Sequence, residues 1–128
     1  MRAQPAGEDE KRLLIVDDNA EFCDAIREIA QAAGYEVALT HDGNAFMERF
    51  ASFRPDHIIL DLALPGLGGL ELLRFLAEER CDAEITIASS HNETVLDQAM
   101  KLGAHYGLKM GAVLQKPFTR AELENVLQ

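Results

Sequence analysis

Basic residues are in short supply in this sequence. Twelve Lys and Arg stand against 22 Asp and Glu, a formal net charge of −10 over 128 residues. A chain without a Lys/Arg face has little to lay along a phosphate backbone or an anionic membrane surface, so neither nucleic acid nor membrane is expected as a direct partner. Cysteine is scarce too. Cys23 and Cys81 lie far apart, with no CxxC and no His pairing. That spacing excludes a zinc site and a disulfide framework, and it implies two reduced thiols in a cytoplasmic protein. No stretch approaches the roughly 20 apolar residues of a membrane span. The opening residues, Met1 to Lys11, are polar and acidic rather than a signal peptide. Pro5 and Gly7 mark residues 1–11 as a loose acidic tail, which leaves residues 12–128 for one domain.

What the sequence does have is a regular change of period. Leu13-Leu14-Ile15-Val16, Ile58-Ile59-Leu60, Ile85-Thr86-Ile87-Ala88 and Ala112-Val113-Leu114 are short apolar runs. Such runs predict strands buried on both faces, as in a parallel sheet. Tyr35, Val37 and Leu39 alternate with Glu36, Ala38 and Thr40, which predicts an edge strand with one wetter face. Between the runs the period is helical. The stripes are Phe22/Ile26/Ile29/Ala33, Phe46/Phe50/Phe53, Leu70/Leu73/Leu76, Val95/Ala99/Leu102, and Leu123 with Val126 or Leu127. Gly34 and Gly107 sit where helix C-terminal caps belong, Asn92 and Thr119 where N-caps belong. Strand then helix, five times over, calls for a parallel α/β sheet with helices on both faces.

In such sheets, sites form at the carboxyl ends of the strands. The first strand ends in Asp17-Asp18, the third in Asp61, the fourth in Ser89-Ser90 and the fifth in Lys116-Pro117. Each alone reads as an ordinary turn or cap; their joint placement on successive strand tips is the signal. Two carboxylates about 4 Å apart repel by about 4 kcal/mol at an effective dielectric near 20, so the cluster needs a proton, a cationic partner or a metal. Oxygen-only ligands at an open rim suit Mg²⁺. A Mg²⁺ and a lysine flanking one carboxylate would neutralise an incoming phosphoryl group and leave that carboxylate free to attack. The hydroxyl of Ser89 is placed to bond a phosphoryl oxygen.

Leu14-Ile15-Val16-Asp17-Asp18-Asn19, Ile58-Ile59-Leu60-Asp61-Leu62, Leu64-Pro65-Gly66 through Gly69-Leu70-Glu71-Leu72, and Lys116-Pro117-Phe118 together resemble the receiver domain of two-component response regulators. The resemblance spans essentially residues 12–127. It implies a flavodoxin-like, doubly wound five-stranded parallel sheet of order 2-1-3-4-5 with five helices. It implies that Asp61 is the phosphoacceptor, and that Asp18, Asp61 and the backbone carbonyl of Ala63 ligate Mg²⁺, with Asp17 acting through water. Ser89 and Lys116 would contact the phosphoryl group, and the Lys116-Pro117 bond would be cis. Pro65-Gly66 suits a type II turn that fixes the Ala63 loop.

The implied partners are a sensor histidine kinase or phosphotransfer protein upstream and an effector protein or attached domain downstream. Catalysis would extend only to the domain's own phosphorylation and dephosphorylation. Val113 stands where the family usually has Tyr or Phe, the residue that relays the phosphorylated state, and Tyr106 is no obvious substitute. The run Gly107 to Leu114 resembles receivers found ahead of cyclic-di-GMP phosphodiesterase domains. Ala63 and His91 occupy the positions that tune phosphate lifetime in the family, and Ala63 implies slow self-hydrolysis. Charges at Asp97, Lys101, Arg120 and Glu124 offer a possible homodimer face. Three other readings remain open. One is a degenerate receiver serving as a constitutive interaction module. Another is an aspartyl-phosphate phosphohydrolase, which would place a second Asp where Ala63 stands. The last is a flavin carrier, whose phosphate would meet Asp17-Asp18 instead of a neutral loop at a helix N-terminus.

Overall fold

The computed structural model describes residues 11–64, 68–90 and 92–128. The expected tail apart from Lys11, the Pro65-Gly66 turn and His91 therefore lie outside the described residues. The elements run in strict alternation: β1 (Lys11–Val16), α1 (Ala20–Ala32), β2 (Tyr35–Thr40), α2 (Gly43–Phe53), β3 (His57–Leu60), α3 (Gly69–Glu78), β4 (Glu84–Ser89), α4 (Glu93–His105), β5 (Lys109–Gln115) and α5 (Arg120–Val126). All strand pairs are parallel, and the sheet order is β2-β1-β3-β4-β5. Lys11, assigned by sequence to the tail, is the first residue of β1.

The pleat of the central strands divides the core in two. Leu14 and Val16 of β1, with Ile58 and Leu60 of β3, pack against Phe46, Phe53, Leu72, Leu73 and Leu76 on α2 and α3. Leu13, Ile15 and Ile59 point the other way, onto Cys23 and Ile26 of α1 and onto Leu123 of α5. Alternation along a strand sends successive side chains to opposite faces, and helices cover both here, so β1 and β3 read as unbroken apolar runs.

The caps follow side-chain chemistry. Asn92 Oδ1 accepts from Val95 N–H at 3.0 Å. Thr119 Oγ1 accepts from Glu122 N–H at 3.1 Å, and Glu122 reaches back to Thr119 N–H at 2.8 Å, a reciprocal capping box. Gly34 and Gly107 take φ of 95° and 84°, the left-handed conformation that ends α1 and α4.

Four sequence expectations are corrected. Leu70 is 48% exposed, and the buried face of α3 is Leu72, Leu73 and Leu76. Leu70→Ala is accordingly expected to change the unfolding free energy in urea by no more than about 0.5 kcal/mol, where a core leucine would lose several. On α4 the buried stripe is Leu96, Ala99 and Gly103, one position later than Val95 and Leu102, and at Gly103 a side chain would run into Met110 of β5. On β2, Ala38 and Thr40 are buried and Val37 and Leu39 half-buried. That strand is an edge, but helices cover both of its faces. On β5 only Leu114 is buried, and Val113 is 36% exposed. A bulge opposite Ile85–Ile87 adds a residue to β5 and leaves Val113 beside a groove of about 540 Å³ lined also by Leu96, Asp97 and Met100.

Candidate metal and phosphoryl site

Strand register brings the acidic residues together. Val16 pairs with Leu60, Asp61 N–H donates to Val16 O at 3.1 Å, and Asp17 N–H donates to Thr40 O at 3.1 Å. Asp17 and Asp61 thus leave adjacent strands side by side. Carboxylate oxygens of Asp17, Asp18 and Asp61 all lie within 4.8 Å of one another. Asp17 and Asp61 are buried and Asp18 is exposed, so the cluster opens to solvent on one side.

Lys116 closes the other side. Ser89 pairs with Gln115, and Lys116 N–H donates to Ser89 O at 2.9 Å, which keeps the tip of β5 beside the tip of β4. The Lys116-Pro117 bond is cis. Lys116 Nζ donates to Asp17 Oδ2 at 2.6 Å and lies 3.8 Å from Asp61 Oδ2. Ser89 is fully buried at the same rim. Ala63, exposed beside the cluster, donates its N–H to Asp61 Oδ1 at 3.1 Å.

Burial raises the Asp61 carboxyl above its ordinary pKa. The Ala63 N–H and the Lys116 ammonium pull it down, while Asp17 and Asp18 push it further up. A carboxylate kept partly desolvated among like charges is one that a cation would relieve. The donor set is all oxygen, open on one side and faced by one ammonium, which fits a hard divalent cation such as Mg²⁺.

The response regulator receiver domain family matches residues 13–128. This chain is a response regulator receiver domain. It is 36% identical over 114 residues to response regulator MprA of Mycobacterium ulcerans, an alignment covering 88% of this chain and 46% of that protein. The receiver domain thus spans about half the length of the curated relatives it matches. Among solved structures, the chemotaxis response regulator CheY4 of Vibrio cholerae superposes with a TM-score of 0.81 at 25% identity, covering 93% of this chain and 97% of that one. A response regulator of Colwellia psychrerythraea gives 0.79 at 29% identity, covering 91% and 93%. The two-component signalling class and the doubly wound fold both follow from these matches.

Residues that sequence reasoning left out support the receiver's acidic cluster. Asn19 is the N-cap of α1 and donates its N–H to Asp17 Oδ1 at 2.9 Å. His41 Nδ1 lies 3.0 Å from Asp17 O, and Cys23 Sγ donates to the same carbonyl at 3.4 Å. Burial, with Asp17 nearby, pushes the Cys23 thiol up to about 12, so it stays protonated and unreactive near neutral pH. No linear motif ties Cys23 or His41 to Asp17; the packing of α1 on the sheet brings Cys23 there, and parallel pairing of β1 with β2 brings His41.

At the suggested dimer face, Asp97 pairs with Lys101 at 3.1 Å and Arg120 with Glu124 at 2.9 Å, each within its own helix. Among the described residues, no helix is long and apolar enough to cross a membrane.

Proposed function

We propose that this receiver domain takes a phosphoryl group onto Asp61 from a sensor histidine kinase or phosphotransfer protein and hands the resulting state to an effector. The observation that carries the reading is the clustering of three carboxylates within 4.8 Å around a lysine that reaches two of them. Asp17 holds the lysine more closely, at 2.6 Å, and also accepts a backbone N–H; the resemblance of Ile58-Ile59-Leu60-Asp61-Leu62 to the family's acceptor strand supports Asp61, which has Lys116 3.8 Å from Oδ2, as the acceptor.

In the transfer, an Asp61 oxygen bonds to the donor's phosphorus as the phosphorus–nitrogen bond breaks, and the donor imidazole leaves with that electron pair. Lys116 is close enough to turn from Asp17 to a phosphoryl oxygen, and Ser89 offers a hydroxyl from the neighbouring strand tip. Asp18, Asp61 and the Ala63 carbonyl would hold Mg²⁺, with Asp17 reached through water. The ion would supply charge neutralisation for the phosphoryl oxygens. The domain acts on itself and turns over no metabolite. A cytoplasmic location fits this donor chemistry.

The degenerate-receiver reading needs a depleted site, whereas Asp17, Asp18, Asp61, Ser89 and Lys116 are all present on one rim. The downstream partner is a separate effector or an attached domain. The Gly107–Leu114 resemblance makes a cyclic-di-GMP phosphodiesterase one class to test. Val113 lacks the ring of the usual relay, so the output signal is expected to pass without an aromatic rotamer change at that position.

Incubation with Mg²⁺ and acetyl phosphate, read by intact-protein mass and peptide mapping, is expected to add one phosphoryl group at Asp61. Beryllofluoride with Mg²⁺ should shift the amide signals of Asp61, Ala63, Ser89 and Lys116. No change in either measurement at any Mg²⁺ concentration would defeat the proposal. A methyl group at Ala63 cannot orient an attacking water, so self-hydrolysis is expected to be slow. Ala63→Asn should shorten the phosphorylated lifetime several-fold in a phosphate-release assay; an equal or longer lifetime contradicts the role given to Ala63.

A further inference from the structure

Lys116 is held from two directions. Asp17 Oδ2 accepts its ammonium at 2.6 Å, and on the other side Nζ stands 4.1 Å from the centroid of the Phe22 ring. That ring belongs to the first turn of α1, where Phe22 N–H donates to Asn19 Oδ1 at 3.0 Å. Asn19 N–H in turn donates to Asp17 Oδ1 at 2.9 Å. The same aspartate therefore anchors both the lysine and the helix turn that presents the ring. Phe118, two residues past Lys116, meets Phe22 edge-on with centroids 5.5 Å apart and planes at 75°. Both rings are half-buried.

An aromatic face is electron-rich and attracts a cation, most strongly where water is partly excluded. Edge-to-face contact with a second ring fixes the first ring's plane. A leucine at position 22 would fill similar apolar space and offer no such face. The phosphoryl chemistry proposed above makes no demand for an aromatic there, so hydrophobic filling alone leaves the placement of Nζ over the ring unexplained.

We propose that Phe22 is a positioning residue for Lys116, its ring face, braced by Phe118, holding the ammonium between Asp17 and Asp61 in readiness for an incoming phosphoryl group. This role rests on Asp61 being the phosphoacceptor. Phe22 touches no reacting atom; it acts through the lysine by narrowing where Nζ can go. Without the ring, the flexible lysine stem would spread over more rotamers and spend less time within reach of Asp61.

The test compares the wild-type chain with Phe22→Leu and Phe22→Tyr. In the wild-type protein the ε-methylene protons of Lys116 should be shifted upfield by the ring current. Phe22→Leu should abolish that shift and slow phosphorylation by acetyl phosphate about three- to ten-fold, the range expected for losing one cation–π contact. Phe22→Tyr, which keeps the ring, should restore both. If the wild type is phosphorylated but Phe22→Leu is equally fast, or if Phe22→Tyr is as slow as Phe22→Leu, the positioning role is wrong and the phosphoacceptor assignment stands. A wild type that is never modified overturns both.

Discussion

Asp61→Asn should take up no phosphoryl group from any donor, yet fold at least as stably as the wild type. The first half follows from chemistry, because an amide oxygen is no nucleophile toward phosphorus at neutral pH and forms no stable acyl phosphate. The second follows from electrostatics. Asp61 is buried beside Asp17 and Asp18, and burial raises its carboxyl above the ordinary value. A raised carboxyl pKa means that the fold favours the protonated form. Its contribution to stability is therefore intact below the unfolded-state value near 4 and is lost as pH rises through the higher folded-state value. At neutral pH and without divalent ions, removing the charge should stabilise the fold by on the order of 1 kcal/mol, offset in part by the lost attraction to Lys116. The Lys116–Asp17 contact remains, and asparagine Oδ1 can still accept from Ala63 N–H. Thermal unfolding from about pH 3.5 to 8 should show the two proteins converging at the acid end and separating as pH rises, with the variant higher. Adding Mg²⁺ should stabilise the wild type, by about 1.4 kcal/mol at ten times the dissociation constant, and the variant by less. A variant that still gains a phosphoryl group would overturn the acceptor role of Asp61, and one that gains as much from Mg²⁺ as the wild type would overturn its part in holding the metal.

Gly69→Ala is expected to be among the most damaging single-methyl changes in the molecule. Gly69 opens α3, and its N–H donates to Leu62 O at 3.2 Å. A Cβ built there would lie 2.6 Å from Leu62 Cα and 2.8 Å from Asp61 O. Both are backbone atoms, so no side-chain rotation relieves the overlap. The start of α3 must move away from the tip of β3, or the Asp61–Leu62 peptide must shift. Overpacking against backbone costs about 2–3 kcal/mol. The displacement falls on the segment that carries Asp61 and Ala63, so the site should loosen along with the fold. Urea denaturation should report the stability loss and a Mg²⁺ titration a weaker apparent affinity. If Gly69→Ala loses stability but binds Mg²⁺ as tightly as the wild type, the helix start and the acidic cluster are less closely coupled than their contact implies.

The central sheet was open to reading because β1 and β3 are buried on both faces and must be apolar throughout. The edges were harder. Val113 looks like core in sequence, but the bulge in β5 turns it outward, and a bulge leaves no reliable mark in a linear pattern. Ala38 and Thr40 look like the wetter side of β2 but are buried, because a helix closes over each face of that edge strand. On α3 the consecutive leucines at 72 and 73 allow more than one helical phase, and the fold buries both with Leu76 while Leu70 faces solvent. At the site, Asp17, Asp18, Asp61, Ser89 and Lys116 could be named because every one lies just past the end of an apolar run.

The amino-acid order by itself determined the alternation of strands and helices, the strand tips on which polar groups gather, and the excess of acid that makes a cation welcome. Those are local properties, carried by period and by side-chain type. Only the folded chain decided that Lys116 rests on Asp17 and over the ring of Phe22, that Cys23 and His41 reach the Asp17 carbonyl, and that Gly69 has no room for a methyl group. Each of these joins segments that the sheet order and helix packing bring within a few ångströms, and such proximity across the fold has no counterpart in neighbouring letters.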